Sequence, residues 1–264
     1  MPLKPLQERP ADGAQRASAV PARVIARSLD APASLRGVLD RVFDPLTTLG
    51  CQPGPSVALL VRAGLAPGAR VLELACGKGA LSVELARRLG CRVNGIDAYG
   101  PFIEEARSAA RRAGVSGRCR FVMGDARGVP PARYDAAVML NLFPIERAVP
   151  LLRRCVRPGG LMLVDDVAGD PRSPIGRRFP LASELARRAE RWGDSVVLRR
   201  TMPRREAGRQ CATYQRLLKP RCAMLARQRP ELRGALRELM RLQRASDRLF
   251  TGPLRSVMLV LRRG

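Results

Sequence analysis

Residues 71–80, VLELACGKGA, constrain the fold of this chain more than any other stretch. The first half is apolar apart from Glu73 and predicts a buried strand. Gly77 and Gly79 follow, and leucines at a four-residue spacing then predict a helix. A strand, a glycine-rich turn and a helix in this order place helix N–H groups at the carboxyl end of the strand. There they can bind anionic or carboxylate groups, and the turn lets a ligand approach the backbone closely.

The pattern of strand and helix continues to about residue 170. Further strands are predicted at CRVNGID, CRFVMGD, YDAAVMLNL and LMLVDDV, with helical patterns between them. Five strands that alternate with helices predict a parallel sheet covered on both faces. A helix near 180–192, the strand SVVLRRTM, two long helical patterns near 204–228 and 230–250, and the strand SVMLVLRR complete the chain.

Residues 1–34 are rich in Pro, Ala and Arg and show no apolar periodicity, so we expect a flexible basic arm. An organelle transit peptide stays open as an alternative because the arm is basic and contains serine, although Glu8, Asp12 and Asp30 count against it.

The net charge of +25 comes almost wholly from arginine, since lysine occurs only at positions 4, 78 and 219. One interpretation is a polyanionic partner such as RNA, whose phosphates guanidinium groups bind in bidentate fashion. The other is genome composition, because Ala, Arg, Gly and Pro are frequent throughout. Residues 172–264 hold 23 arginines and one lysine against seven acidic residues, so an RNA or acidic partner would bind this half. One face of the last predicted helix carries Arg233, Arg237, Arg241, Arg244 and Arg248.

Cysteine and histidine usage limits the chemistry. The seven cysteines are odd in number and scattered, without a C-x-x-C, so we expect neither a disulfide framework nor a metal site. A reducing, cytoplasmic setting is the simplest. No run of about 18 apolar residues exists, so we expect no membrane-spanning helix. The absence of histidine removes His-dependent triads and the usual proton shuttle at neutral pH.

An acidic residue follows the glycine turn at the spacing typical of nucleoside-binding sites. Asp97 ends the predicted second strand, about 20 residues on, where an acceptor for ribose hydroxyls is expected. A nicotinamide dinucleotide fits less well, because Ser82 stands where a third glycine is expected. Glu73 also suits a cationic group such as an amino acid's ammonium. The spacing therefore predicts an adenosine-containing ligand.

At this point a family resemblance is clear. Residues 71–79 resemble the first motif of class I S-adenosylmethionine-dependent methyltransferases, acid-x-Gly-x-Gly-x-Gly, with Ala75 in place of the first glycine. Four further stretches resemble, in order, the motifs of strands two to five of this family: GIDA (95–98), GDA (124–126), YDAAVML (134–140) and RPGGLMLVDD (157–166). The resemblance covers residues 60–170 and implies S-adenosyl-L-methionine as the cofactor.

The resemblance implies an α/β fold with a seven-stranded, mostly parallel Rossmann-like sheet and helices on both faces. The last two strands of this family often form a simple antiparallel pair. We therefore interpret residues 203–252 as a C-terminal helical insertion between them, serving as a lid or oligomer surface. The methyltransferase core is expected at 35–202, with its final strand at 253–264.

By the same resemblance, Glu73 serves the methionine ammonium, and the backbone of the glycine turn lines the methionine and ribose. Asp97 accepts both ribose hydroxyls, Asp125 contacts the adenine amino group, and Asn141 faces the transferable methyl. Capping of a strand end by Asp97 and a plain turn role for Asn141 stay open. The complete predicted cofactor set is Glu73, Ala75, Cys76, Gly77, Gly79, Asp97, Ala98, Asp125, Ala126 and Asn141.

Methyl transfer from a sulfonium depends on alignment and exclusion of water, and it needs a base only when the acceptor is weakly acidic. The catalytic candidates are Asn141, Asp165 and Asp166. We expect one aspartate to face the site, because successive strand residues point to opposite faces. Helix capping or pairing with arginine is the alternative for this pair. Tyr99 and Tyr214 are further candidates for the base.

The predicted function is methyl transfer from S-adenosyl-L-methionine to an O, N or C nucleophile of a small molecule. The alternatives are an RNA or protein methyltransferase that uses the arginine-rich half, and a binding protein that keeps the fold without catalysis. The loop NLFP (141–144) resembles the Asn-Pro-Pro-aromatic motif of amino-group methylators only loosely, because Leu142 and Phe143 replace both prolines. The oligomeric state is left open.

Overall fold

The computed structural model describes residues 20–50 and 52–264. Within these residues, seven strands form a single sheet in the order β3-β2-β1-β4-β5-β7-β6. The strands are β1 (Arg70–Leu74), β2 (Arg92–Asp97), β3 (Cys119–Met123), β4 (Tyr134–Met139), β5 (Val156–Gly169), β6 (Ser195–Thr201) and β7 (Leu254–Arg262).

Helices separate most of these strands in the chain. They are α1 (Ala22–Ser28), α2 (Leu39–Phe43), α3 (Pro53–Arg62), α4 (Ala80–Leu89), α5 (Gly100–Arg112), α6 (Ile145–Arg153), α7 (Ala182–Glu190), α8 (Arg204–Gln228) and α9 (Arg233–Thr251). The predicted alternation of strand and helix is confirmed. The two long helical patterns near 204–228 and 230–250 correspond to α8 and α9.

The sheet is mixed. Strands β1 to β5 pair in parallel, whereas β7 lies antiparallel between β5 and β6. The expected seven-stranded α/β fold is therefore confirmed, with one antiparallel part. Helices α8 and α9 connect β6 to β7, and their interpretation as an insertion stays a prediction.

The strand order places the ligand-binding edge. Strand β1 lies between β2 and β4, so the chain reverses its direction across the sheet at β1. In open α/β sheets, ligands bind outside the carboxyl ends of the strands at such a switch point. The turn after Leu74 and the ends of β2, β4 and β5 therefore meet at one edge.

Alternate residues of each strand enter opposite cores. Leu72 and Leu74 belong to a cluster with α6 and α7, whereas Val71 packs with α3 and α4 on the other face. Each fully buried leucine contributes about 1.5–3 kcal/mol by leaving water. Because the side-chain period of a strand is two, Glu73 shares the α4 face with Val71.

A separate apolar cluster covers the edge that carries the strand ends. Helices α1, α2, α8 and α9 pack together around Leu35, Leu39, Leu218 and Leu239. The side chains of Leu236 and Leu239 face this cluster, while the five arginines of the predicted α9 face are exposed. This layer builds a roof over the edge of the sheet.

The expected arm of residues 1–34 lies partly outside the described residues. Its last part departs from the expectation, because Ala22–Ser28 form helix α1 and Ala26 is fully buried in the roof cluster. Ile25 and Leu29 pack beside it. Their spacing of four residues was hidden by the surrounding Arg and Ala, so the sequence showed no periodicity.

No helix in the described ranges combines the length and the apolar character that crossing a bilayer requires.

Candidate active site

The turn after β1 adopts an unusual backbone. Ala75, Gly77 and Gly79 all have positive φ, at +57°, +52° and +73°. A left-handed conformation costs an L-residue such as Ala75 about 1–2 kcal/mol, so this turn is held by its surroundings. It exposes backbone rather than side chains at the end of β1.

The two glycines serve different purposes. A Cβ on Gly77 would lie 3.3 Å from the side chain of Leu49, at the wall of a cavity. A Cβ on Gly79 would lie 2.8 Å from both Ala106 and Phe121. Gly79 therefore permits close packing of α5 and β3 against the turn, and it lines none of the cavities described below.

Asp97 joins the end of β2 to the turn. Its Oδ2 accepts a hydrogen bond from the N–H of Gly77 at 2.8 Å, and its Oδ1 accepts one from the N–H of Tyr99 at 2.9 Å. Burial raises the pKa of this carboxyl, and the backbone donors oppose the rise. Each carboxylate oxygen keeps a second lone pair, so the group can accept from two neighbouring hydroxyls.

Glu73 lies buried beneath the turn. The Oγ of Ser82, on the first turn of α4, donates a hydrogen bond to its Oε2. Burial raises the pKa of Glu73 to about 7, with the nearby Asp97 charge adding to the rise and the Ser82 hydrogen bonds opposing it. Ser82 was seen in the sequence only as a missing glycine, and no sequence pattern indicated this pairing.

Asp125, just after β3, is already engaged. Its carboxylate accepts from the N–H of Arg127 at 2.8 Å and forms an ion pair with the Arg127 guanidinium at 2.5 Å. These hydrogen bonds hold the pKa of Asp125 below its usual range. A ligand amino group at Asp125 must share the carboxylate with Arg127, a residue that the sequence did not indicate.

Most of the predicted cofactor residues line one cavity of about 150 Å³ at the carboxyl edge of the sheet. Its predicted members are Ala75, Gly77, Asp97, Ala98, Asp125, Ala126 and Asn141. Glu73 and Cys76 line a small adjoining pocket of about 30 Å³ on the inner side of the turn. The sequence did not predict the apolar walls contributed by Val24, Ile25, Leu29, Leu49 and Phe102.

A second cavity, of about 440 Å³, lies between the strand ends and the roof helices. It shares Asn141, Leu142 and Phe143 with the smaller cavity, so the two meet at the loop after β4. Asn141 has a positive φ of +56° at this junction. The sequence predicted Asn141 at the reacting centre. Among the predicted cofactor residues, Asn141 lines both cavities and also the small adjoining pocket.

Asp165 and Asp166 both line the larger cavity, and different backbone groups hold their carboxylates. β4 ends at Met139, which pairs with Val164, so the next residues of β5 lack a neighbour on that side. The N–H of Asn141 donates to Asp165 Oδ1 at 2.7 Å. Burial raises the pKa of Asp165 to about 7.

Asp166 has a different local role. Its Oδ2 accepts from the N–H of Ile145 at 2.9 Å, at the first residue of α6, and its Oδ1 accepts from the N–H of Val167. A carboxylate at a helix N-terminus satisfies a free N–H and is stabilised by the helix dipole. The helix-capping interpretation thus describes Asp166, whereas Asp165 keeps an oxygen free for a ligand.

The hydroxyls of the two tyrosines suggested as bases already form hydrogen bonds with other groups of the protein. Tyr99 donates its hydroxyl to Asp40 at 3.0 Å, and burial raises its pKa to about 12. The Tyr214 hydroxyl accepts from the N–H of Gly50 at 2.6 Å and donates to the carbonyl of Thr48 at 2.9 Å. Tyr214 lines the larger cavity. Its hydroxyl holds the loop before α3 and does not serve as a free proton acceptor.

Lys78, inside the glycine turn, is buried and fastens the roof to the sheet. Its Nζ donates to the carbonyl of Phe43 at 2.8 Å and pairs with Glu105 at 2.7 Å. It also lies 5.7 Å from the ring centre of Phe102, within range of a cation–π interaction. One of the three lysines in the chain thus ties α2 and α5 to the turn.

Comparisons with known proteins agree with this geometry. A family model described as "Methyltransferase domain" matches residues 71–160, the stretch from β1 into β5. A solved SAM-dependent methyltransferase from Thiobacillus denitrificans, in complex with S-adenosyl-L-homocysteine, superposes with a TM-score of 0.72 at 22% identity. That alignment covers 86% of this chain and 98% of the other.

Curated relatives match part of the chain. The uncharacterized protein YjhP of Escherichia coli (strain K12) is 33% identical over 125 residues, covering 46% of this chain and 48% of the relative. A ubiquinone biosynthesis O-methyltransferase of Methylocella silvestris is 38% identical over 99 residues, covering 36% and 38%. The alignments thus span half or less of the length of these relatives.

The strand order, the glycine turn and the acids at the ends of β1 and β2 define a Rossmann-like methyltransferase domain. The fold is that of solved S-adenosylmethionine-dependent methyltransferases, and residues 71–160 match the methyltransferase-domain model in the region where the sequence motifs resembled class I enzymes.

Proposed function

We propose that this protein transfers a methyl group from S-adenosyl-L-methionine to a small molecule. The observation that carries the proposal is that two cavities meet at Asn141. The lining of one suits a nucleoside, and the other is covered by the roof helices. The larger cavity, about 440 Å³, has the size of a small-molecule pocket. A long nucleic acid would need an open groove, so the geometry favours a small acceptor.

The residues present fit the cofactor. The positive-φ turn at Ala75 and Gly77 leaves space for a ligand next to the backbone. A Cβ on Gly77 would narrow the space between the turn and Leu49. Asp97 has a free lone pair on each oxygen for the two ribose hydroxyls. Glu73 would serve the methionine ammonium, because a cation beside this buried carboxyl favours its ionised form.

S-adenosyl-L-methionine, when bound, supplies a methyl group on a positively charged sulfur. The residues of this chain then orient the donor and keep water away from the reacting groups. The turn and Asp97 orient the nucleoside, and Asn141 marks the passage between the cavities. Leu49, Leu142 and Phe143 line both cavities and exclude water from the passage, which strengthens the electrostatic interactions there.

Asp165 is the residue placed to accept a proton from the acceptor. One of its oxygens is fixed by the N–H of Asn141, and its raised pKa of about 7 makes it an effective base near neutral pH. Asp166 is held at the start of α6 and supports this arrangement.

The proposal is tested in two steps on the purified protein. Calorimetry first measures the binding of S-adenosyl-L-methionine and S-adenosyl-L-homocysteine. A labelled-methyl assay then offers a cell extract separated into small-molecule, protein and nucleic-acid fractions. We expect binding, and label in the small-molecule fraction alone. Absence of cofactor binding would contradict the methyltransferase function, and label in RNA or protein would contradict the small-molecule acceptor.

A further inference from the structure

The larger cavity has an electrostatic character opposite to that of the whole chain. Basic residues outnumber acidic ones by 48 to 23. No arginine or lysine from the described part of the chain lines this cavity, yet four aspartates do: Asp30, Asp165, Asp166 and Asp247. An acidic interior inside so basic a protein requires an explanation.

The four carboxylates are held by neutral donors. Asp165 accepts from the N–H of Asn141 at 2.7 Å, and Asp166 accepts from backbone N–H groups at the start of α6 and in β5. Asp247 accepts from the side-chain amide of Gln215 at 2.7 Å. Ser246 lines the cavity with Asp30, and its hydroxyl opposes the rise that burial gives to the pKa of Asp30.

None of these four aspartates forms an ion pair with an arginine or lysine that the structure describes. Elsewhere, aspartates such as Asp125, Asp135 and Asp170 are paired with arginine. The carboxyl groups of the cavity are therefore left for a cationic ligand. Burial raises the pKa of Asp30, Asp165 and Asp166, and a cation in the cavity would favour their ionised forms.

The other walls suit an amine with an apolar body. Phe43, Phe143, Tyr214 and Phe250 bring aromatic rings to the cavity. The faces of aromatic rings attract ammonium groups, and the rings also bury apolar surface. An acceptor with a carboxylate or phosphate would instead meet like charge and lose its hydration without a partner.

We infer that this cavity binds a cationic amine of low molecular mass and that the amine nitrogen is the methyl acceptor. The inference rests on the proposed methyltransferase function and names its substrate class. Before transfer, the ammonium gives one proton to the Asp165 carboxylate. The nitrogen lone pair then forms the N–C bond while the C–S bond of the donor breaks and its electron pair stays on sulfur. The sulfonium becomes a neutral thioether, the product is an ammonium ion, and Asp165 returns its proton to water.

Three probes that share one apolar chain test the charge preference: octylamine, octanol and octanoate. Calorimetry measures their binding to the protein loaded with S-adenosyl-L-homocysteine, and labelled S-adenosyl-L-methionine measures transfer to each. We expect octylamine to bind at least about tenfold more tightly than octanol, octanoate not to bind, and label to appear on the amine. Equal or tighter binding of octanol or octanoate, or no binding of octylamine, would overturn the inference.

Variants then assign the preference to the cavity. The double variant Asp30→Asn, Asp247→Asn keeps the shape and the hydrogen-bond acceptors, and it should weaken octylamine binding about tenfold or more while octanol binding stays constant. Glu104→Gln, an exposed charge change on α5, should alter neither. Equal losses in the double variant and the control would overturn the inference, and thermal unfolding of each protein verifies folding.

Donor affinity separates the two levels of failure. Asp30 and Asp247 line the larger cavity and not the smaller one, so the double variant should bind S-adenosyl-L-homocysteine like the parent protein. If the parent protein binds no donor nucleoside, the proposed function fails and the amine inference fails with it. If it binds donor but shows no amine preference, only the substrate class is wrong.

Discussion

The N–H of Asn141 donates a 2.7 Å hydrogen bond to Oδ1 of Asp165 and thereby joins the loop after β4 to the end of β5. Asn141 adopts a positive φ of +56° at this point of the loop. The bond lies where the two cavities meet. It fixes one carboxylate oxygen and leaves the other available to an acceptor.

The first prediction concerns the pH dependence of methyl transfer. Only the ionised form of Asp165 accepts a proton, and its pKa of about 7 means that this form increases as pH rises through neutrality. The rate should therefore rise between about pH 6 and 8. Asp165→Asn should lower kcat by about 10²-fold or more and remove this inflection, as stopped assays across the pH range would show.

The neighbouring aspartate serves as the matched control for that experiment. Asp166→Asn can still accept hydrogen bonds from Ile145 and Val167, so we expect a smaller loss of kcat and a retained inflection. An inflection near pH 7 that persists in Asp165→Asn and disappears in Asp166→Asn would reverse the assignment of the base.

A second prediction concerns the ribose acceptor. Asp97→Ala should weaken binding of S-adenosyl-L-homocysteine by about 1–3 kcal/mol, because charge-assisted hydrogen bonds to the ligand are lost. The N–H of Gly77 also loses its 2.8 Å acceptor, which loosens the turn. Calorimetry gives the dissociation constant, with Glu104→Gln as a remote acidic control. An unchanged constant in Asp97→Ala would refute the ribose contact.

A third prediction separates the two glycines of the turn. Gly79→Ala places a Cβ 2.8 Å from Ala106 and Phe121, so it should lower the free energy of unfolding by about 1–3 kcal/mol through overpacking. Both variants carry the cost of an alanine at positive φ, but Gly77→Ala meets only the end of the Leu49 side chain, at 3.3 Å. Beyond that shared cost, Gly77→Ala should impair cofactor binding more than folding. Urea unfolding and calorimetry on both variants provide the comparison, and identical effects would contradict the separate roles.

The fourth prediction follows from the buried carboxyl of Glu73. Its pKa is about 7 in the folded protein and 4.5 as a reference, so the unfolded chain loses this proton first as pH rises. Glu73 therefore contributes a loss of stability that develops between about pH 4.5 and 7 and persists above it. Glu73→Gln stays neutral and should be more stable than the parent by about 3 kcal/mol at pH 8.

Near pH 4.5 the two proteins should differ far less, because Glu73 is then protonated in the folded state. Urea unfolding without ligand at both pH values measures the difference. The glutamine variant should also bind S-adenosyl-L-homocysteine more weakly, since the ammonium of its homocysteine portion loses its anionic partner. A stability difference that is independent of pH would show that Glu73 does not titrate as described.

The sequence alone predicted the sheet and most of the polar lining of the smaller, 150 Å³ cavity. Both depend on local patterns: buried strands, the glycine turn after β1, and an acid at the end of β2. Because parallel strands bring their carboxyl ends to one edge, residues such as Ala75, Asp97 and Asn141 had to lie near each other once the strand order was known.

Only the tertiary structure decided which residues line the larger cavity. The larger cavity joins Asp30, two residues after α1, to Asp247 on α9 and Asp165 on β5, and no local pattern links them. A polar side chain on a helix looks the same in sequence whether it faces water or a cavity, so these aspartates were indistinguishable from a solvated surface. Likewise, strand periodicity could not show that β5 runs past β4, which gives both Asp165 and Asp166 access to the same space.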